Sequence, residues 1–312
     1  MKKGDVTEKT LSRRGFLKTA GGAAAVAGFA AGGLGFPSQA QAGPDALPKK
    51  WDETCDVLVV GSGFAGLAAA IEAKEAGASV MVLEKMPTHG GNSIINGGVM
   101  AVVGSDMQEA RGIKDSPDLM LADMMKAGLD MNYPELAKMV AYQSKDAYDW
   151  CKQHIGVKFT DPKMLLHMGG HTVARSCPTS IYSGSEIVNK ELAKFKELGG
   201  TVTTRTYLEK LIRHANGRVV GAQIRTGYRF PDAGSGKVKF VKVKKGVVLA
   251  SGGFSQDVAF RMTQAPNLVA EVNSTNQPGA TAEVLKEAFR VGGNPVQVSW
   301  IQLGPWASPD EK

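Results

Sequence analysis

The sequence predicts an α/β fold with a parallel sheet, a β-meander and a helical insertion, and three observations predict it. Between Cys55 and Glu84 a short apolar run, a small-residue helix and a second apolar run follow one another. That is the order of a βαβ unit, whose crossover requires parallel strands. After Thr201 the apolar period shortens from helical to two, the pattern of strands joined by hairpins. Glycine supplies 38 of 312 residues, above the usual share of about 7%, and it clusters behind the predicted strands.

Composition narrows the class further. The chain is 43% hydrophobic and 21% charged, enough to bury a large core. Three cysteines exclude a disulfide scaffold, and no G-X-Y period points to collagen. No stretch of about 18 strongly apolar residues predicts a membrane span.

Residues 1–42 read as an export signal. Lys2, Lys3, Lys9, Arg13, Arg14 and Lys18 make the front basic. A Gly/Ala-rich apolar stretch runs from Ala20 to Phe36, and Ala40-Gln41-Ala42 has the small-x-small pattern of a cleavage site. Ser12-Arg13-Arg14-Gly15-Phe16-Leu17-Lys18 resembles a bacterial twin-arginine signal, which implies a periplasmic protein exported already folded. Without these residues the net charge falls from +7 to +3, so the basic pI gives no pull toward nucleic acid.

Residues 43–54 read as a lead-in linker and 55–312 as one domain. Cys55 to Val60 is a buried strand by length and branching. Phe64 to Glu75 is helical, and Ser79 to Leu83 is the second strand. Ser116-Pro117-Asp118 opens a helix, with proline in its first turn. Tyr133-Pro134-Glu135 opens another toward Trp150, and Glu186 to Leu198 is a third, stopped by Gly199-Gly200. Thr201 to Thr206 reads as a strand, and Asn216-Gly217 as a hairpin turn before Arg218 to Ile224. Asp232 to Gly236 is a second turn. Lys237 to Val243 alternates lysine with apolar residues, a solvated strand face that lacks aromatic platforms for nucleic acid. Gly246 to Ala250 is a further buried strand, Ala282 to Arg290 a helix, and Pro295 to Leu303 a strand.

The first glycine cluster carries chemistry. Gly61-Ser62-Gly63-Phe64-Ala65-Gly66 fits G-x-G-x-x-G between strand and helix. The first glycine makes the turn, the second lets backbone N–H groups approach a pyrophosphate, and the third packs helix on strand. Glu84 ends the second strand 18 residues after Gly66, where a carboxylate accepts from ribose hydroxyls. This is a Rossmann-like dinucleotide site, and neither feature alone separates NAD from FAD.

Further clusters carry a resemblance. Glu84-Lys85 leads into His89-Gly90-Gly91-Asn92-Ser93 and Asn96-Gly97-Gly98, and far downstream comes Val247-Val248-Leu249-Ala250-Ser251-Gly252-Gly253-Phe254. Met168-Gly169-Gly170, Arg175 and Ser274-Thr275-Asn276-Gln277-Pro278-Gly279 add to the set. From about Asp56 to Gln302 the chain resembles the FAD-binding domain of the fumarate reductase/succinate dehydrogenase flavoprotein superfamily, in its soluble periplasmic branch. The resemblance implies FAD along the Rossmann half. Gly61, Gly63, Ala65 and Gly66 would take the pyrophosphate and Glu84 the ribose, with Lys85 beside it. Gly91, Asn92, Ser93, Gly97 and Gly98 would line the way to the flavin. Backbone near Tyr207-Leu208 would meet the adenine side, with Ala250, Ser251 and Gly252 opposite. Membrane-bound relatives attach FAD through a histidine near the second glycine stretch; here Asn92-Ser93 stands there, which implies non-covalent FAD.

The resemblance also implies the reaction: hydride transfer from flavin N5 to an α,β-unsaturated carboxylate. Its proton-donating arginine and carboxylate clamp belong to a capping domain and a final FAD-binding segment. Neither is found before Lys312, so the sequence reads as the N-terminal part of such an enzyme with its catalytic residues unknown. Gly304 stands where soluble fumarate reductases carry a substrate-contacting histidine, which favours an unsaturated acid other than fumarate. Thr281-Ala282-Glu283 replaces a glycine-aspartate-glycine cofactor contact, so no contact is carried over there. No Cys-x-x-Cys-His occurs, so electrons would come from a separate c-type cytochrome or a quinol-linked donor. A ketosteroid-type flavin dehydrogenase and an inactive flavin-binding remnant are the competing readings. Outside the motifs, His171 and Cys177 are the residues with a cofactor-facing alternative. Cys55 and Cys151 read as core, and no metal-ligand spacing is present.

Overall fold

A computed structural model describes residues 43–304. Residues 1–42, where an export signal is expected, and the last eight residues lie outside them. Among the described residues no helix is long and apolar enough to cross a membrane.

A six-stranded sheet carries the fold, in the order β5-β2-β1-β8-β7-β6. β1 is Glu53–Val60, β2 Val80–Leu83, β5 Val202–Thr203, β6 Thr206–Arg213, β7 Val219–Thr226 and β8 Lys237–Leu249. β5, β2, β1 and the second half of β8 are parallel; β8, β7 and β6 form an antiparallel meander. Helix α1, Phe64–Glu75, crosses from β1 to β2. It buries Gly66, Leu67, Ala70 and Ile71. The face packs with Val59 and Val82 of the sheet and with Ile187, Val188 and Phe195.

The helical insertion follows β2. β3, Val99–Ala101, pairs antiparallel with β4, Ser176–Pro178. Between them run α2 (Asp106–Glu109), α3 (Pro117–Ala127) and α4 (Pro134–Asp149), the last continuing as a π-turn through His154. Ser116 caps α3 by accepting from Leu119 N–H at 3.1 Å, as its sequence position predicts. Arg175 is fully buried here, donating to Asp115 at 2.9 Å and to Asp123 at 2.6 Å. α5, Ser185–Glu197, then packs beside α1. The chain closes with α6 (Val258–Gln264) and α7 (Glu283–Arg290).

Four expectations change. β1 begins at Glu53 inside the supposed linker, and the linker is docked: Asp45 meets Lys210 at 2.7 Å and Arg290 at 3.1 Å. Thr201 to Thr206 is not one strand. The chain turns at Arg205, with φ of +50°, because it wraps the end of β2. Glu84 N–H donates to Thr203 O at 2.9 Å and Thr206 N–H to Glu84 O at 2.8 Å. The two runs around Lys244-Lys245 fuse into the 13-residue β8. Pro295 to Leu303 is irregular, since no strand lies beside it among the described residues.

Candidate cofactor cleft

The parallel strands β1 and β2 end together, and β8 ends beside them. At this edge lies a cleft of about 810 Å³, counting the space open to solvent. Open α/β sheets bind ligands at such a carboxyl edge. Gly61 closes β1 with φ of +106°, and a Cβ there would lie 2.3 Å from Ala250 O. Only glycine lets β1 and β8 end so close. Gly63 presses on Ser93, whose hydroxyl accepts from Phe64 N–H at 3.1 Å and so caps α1 from another segment. The N–H groups of Ala65 and Gly66 lie in the same first turn, where helix geometry gives them no acceptor.

Glu84 is 7% exposed, and both its oxygens are held. Oε2 accepts from Ser62 Oγ at 2.6 Å and Ser62 N–H at 3.3 Å; Oε1 accepts from Met86 N–H at 2.9 Å. Lys85 Nζ donates to Glu283 at 3.2 Å and to Thr281 Oγ1, and lies 5.5 Å from the Phe230 ring centre. Asn92 Oδ1 accepts from Gln277 N–H at 2.7 Å, which joins the second glycine stretch to the Ser274–Gly279 turn. On the meander side Tyr207 stacks on Tyr228 at 4.8 Å, and burial pushes the Tyr207 phenol up to about 12.

The cleft brings together most of the expected residues. Gly61, Gly63, Glu84, Lys85, Gly91, Asn92, Ser93, Leu208, Ala250, Ser251 and Gly252 all line it. Four do not. Gly66 packs instead, for a Cβ would meet Gly61 O at 2.0 Å. Ala65 and Gly98 face a second, mainly apolar groove with Phe64, Met100, Trp150 and Glu191. Gly97 is exposed. Thr281 and Glu283 do line the cleft, so the departure from glycine-aspartate-glycine leaves the segment in place. Met86, Gly90, Ala280 and Val284 line it as well; sequence reasoning missed them, for their signal is nothing more than adjacency to the motifs.

The two reactive alternatives fail. His171 Nδ1 lies 3.1 Å from an Arg175 nitrogen, away from the cleft. Cys177 is buried with Val102, Met107, Tyr148 and Leu165. Cys55 and Cys151 lie in core clusters as expected. Glu72, Glu75 and His154 are the three groups close enough to share a cation among the described residues, but all are exposed.

The residues present fit FAD. A glycine cradle that a Cβ would fill opens onto a helix N-terminus suited to phosphate. A preset carboxylate stands where a ribose would lie. Residues 56–312 match the FAD binding domain family, and the chain belongs to that family. It is 43% identical over 302 residues to the acrylate reductase flavoprotein subunit of Shewanella woodyi, covering 96% of this chain and 58% of that one. It is 32% identical over 303 residues to the urocanate reductase of Eggerthella lenta, covering 96% of this chain and 48% of that protein. An open conformation of a flavocytochrome c3 fumarate reductase superposes with a TM-score of 0.73 at 30% identity, over 81% of this chain and 43% of that one. The chain thus spans about half the length of the curated relatives it matches.

Proposed function

We propose that this chain is the FAD-binding part of a flavin-dependent reductase of an α,β-unsaturated carboxylate, working in the periplasm after twin-arginine export. The observation that carries the reading is the cleft itself, built from the glycine turn, Glu84 and Ala250 in a chain 43% identical to an acrylate reductase flavoprotein subunit. When bound, FAD supplies the redox chemistry, hydride transfer from flavin N5 to the substrate's β-carbon.

This chain's residues bind and orient. The N–H groups of Gly63, Ala65 and Gly66 would face the pyrophosphate. Glu84, fixed by Ser62 and Met86, would accept from the ribose. Leu208 and Tyr207 would shield the adenine side, and Ser251 and Gly252 the opposite one. Asn92-Ser93 stands where membrane-bound relatives carry the flavin-linking histidine, so the cofactor is held without a covalent link. The substrate clamp and proton donor lie in sequence outside this domain, and electrons arrive from a separate c-type cytochrome or a quinol-linked donor.

The test is to express residues 43–312 in the cytoplasm and record the visible spectrum before and after acid precipitation. A flavin band that passes wholly into the supernatant supports non-covalent FAD, and its absence overturns the cofactor reading. Reoxidation of reduced viologen by acrylate, urocanate or fumarate then reports the activity. A flavin-loaded chain that turns over none of them is the outcome expected of an FAD-binding part without its substrate clamp, and turnover by residues 43–312 alone would overturn the placement of the clamp and proton donor outside this domain.

A further inference from the structure

We infer that Arg261 is the positioning residue that holds the far wall of the cofactor cleft, an inference that rests on the FAD reading for its function. Arg261 lies on α6 and is 3% exposed. It has no carboxylate partner among the described residues. Its guanidinium donates instead to four main-chain carbonyls: Ser255 at 2.9 Å, Leu268 at 3.1 Å, Val269 at 2.7 Å and Val272 at 3.0 Å. One carbonyl precedes α6 and three follow it. An irregular stretch of chain is therefore folded around one buried cation.

Guanidinium suits this task and few other groups do. It offers five N–H donors in a rigid planar fork, and four of them are used here. Charge-assisted bonds to carbonyls are about twice as strong as neutral ones. A lysine would gather its bonds at one atom and span fewer carbonyls. Irregular backbone buried without such a partner would leave its carbonyls unsatisfied.

The fold passes this constraint to the cleft through two further layers. Gln256 Nε2 donates to Ser274 O at 3.2 Å and Asn276 O at 2.7 Å, while Asn276 Nδ2 donates to Ser255 Oγ at 2.6 Å. Gln277 N–H then donates to Asn92 Oδ1 at 2.7 Å, and Gln256 N–H to Ala280 O at 2.9 Å. Asn92, Gln277 and Ala280 line the cleft; Arg261 does not. Arg261 thus acts through the 268–280 segment, setting where Gln277 and Ala280 stand against the second glycine stretch.

The experiment compares the wild-type chain with Arg261→Met, Arg261→Lys, Asn92→Ala and the Arg261→Met/Asn92→Ala double variant. Amide hydrogen exchange and the Kd for added FAD, read from flavin fluorescence, are measured on each. We expect Arg261→Met to speed exchange at least tenfold across 268–280 while β1, β6, β7 and β8 keep their protection. FAD should bind about tenfold more weakly, Arg261→Lys should recover part of the loss, and the double variant should be no worse than Arg261→Met. Unchanged exchange in 268–280 would overturn the proposal. So would faster exchange spread through the sheet with losses that add in the double variant, the mark of a general structural role. Should Arg261→Met not fold, Arg261→Lys carries the same comparison. If wild type binds no FAD, the cofactor reading fails, while the exchange arm still decides whether Arg261 holds the segment.

Discussion

The Ser62 hydroxyl donates to the Glu84 carboxylate at 2.6 Å, and the same oxygen of Ser62 accepts from Gly90 N–H at 3.0 Å. The middle residue of the glycine turn therefore joins the ribose carboxylate to the second glycine stretch. The first prediction follows from this relay. Ser62→Ala should weaken FAD binding about fivefold, the loss of roughly 1 kcal/mol expected for one hydrogen bond. Glu84→Ala should cost more, since it removes the ribose acceptor and strands three donors, the Ser62 hydroxyl and the Ser62 and Met86 N–H groups. Titration of the deflavinated chain with FAD checks both, and equal affinity for wild type and Glu84→Ala would remove Glu84 from the site.

Gly66 leaves no space for a side chain. A Cβ there would lie 2.0 Å from Gly61 O, a backbone atom that cannot step aside. Gly66→Ala should push α1 off β1, lower the melting temperature and reduce flavin content together. Thermal unfolding with and without FAD measures this. Gly97→Ala, where a Cβ meets nothing within 4 Å, should leave both quantities within error.

Glu191 predicts a pH effect. It is 1% exposed, its Oε2 has no partner, and burial pushes its carboxyl up to about 9. A carboxyl raised in the folded state favours folding below its unfolded value near 4.5 and opposes it increasingly from there up to about 9. Glu191→Gln should therefore stabilise the chain little at pH 5 and by a few kcal/mol, to order of magnitude, at pH 8.5. Melting curves at the two pH values test the sign.

Asp123 predicts the opposite limb. Burial would raise its carboxyl, but hydrogen bonds from Thr172 and Arg175 outweigh it and hold it near 2. Its contribution is complete above 3.8 and fades as pH falls toward 2. Asp123→Asn should flatten acid unfolding in that window. Arg175→Met should be harsher, about 3–5 kcal/mol, because it leaves the buried Asp115 charge unpaired. Urea melts at pH 7 compare the two.

Burial chiefly pushes the thiols of Cys55, Cys151 and Cys177 up, to about 11, 12 and 11. The native chain should then leave all three unmodified by Ellman's reagent at pH 8, and the unfolded chain should react at three. Fast modification of a native thiol would place that cysteine outside the core.

The parallel half of the fold was legible because its signals are local. A branched apolar run ending in Gly61 needs no knowledge of its neighbours, and the small residues from Ala65 to Ala73 mark the body of the helix Phe64–Glu75. The same locality made Gly61, Gly63 and Glu84 readable, since backbone cradles and a strand-end carboxylate are written in adjacent residues. What was missed depends on distant partners. The break at Arg205 comes from bonds to Glu84 and Met86. β8 runs unbroken through Lys244 and Lys245 because β1 supports it, with a register shift between Cys55 and Val57 and with Asp56 lying 3.8 Å from Lys244. The wall from Gln277 to Val284 joins the cleft through long-range contacts that spacing alone does not encode. Arg175, which added to the resemblance, is a structural cation, and sequence spacing gave no sign of this because the Asp115 and Asp123 that enclose it lie 60 and 52 positions away.

β8 pairs antiparallel with β7 along its first half and parallel with β1 along its second. A single stretch of backbone is thereby shared by the rim that carries Leu208 and the rim that carries Gly61. The domain can be cut on one side of it and not within it. Two polypeptides divided at the Asp232–Gly236 turn would each keep whole strands, and β8 would return to its place between β1 and β7. Two divided at Lys244-Lys245 would part the rims and leave neither with a pocket, which makes this strand the spine along which the molecule is indivisible.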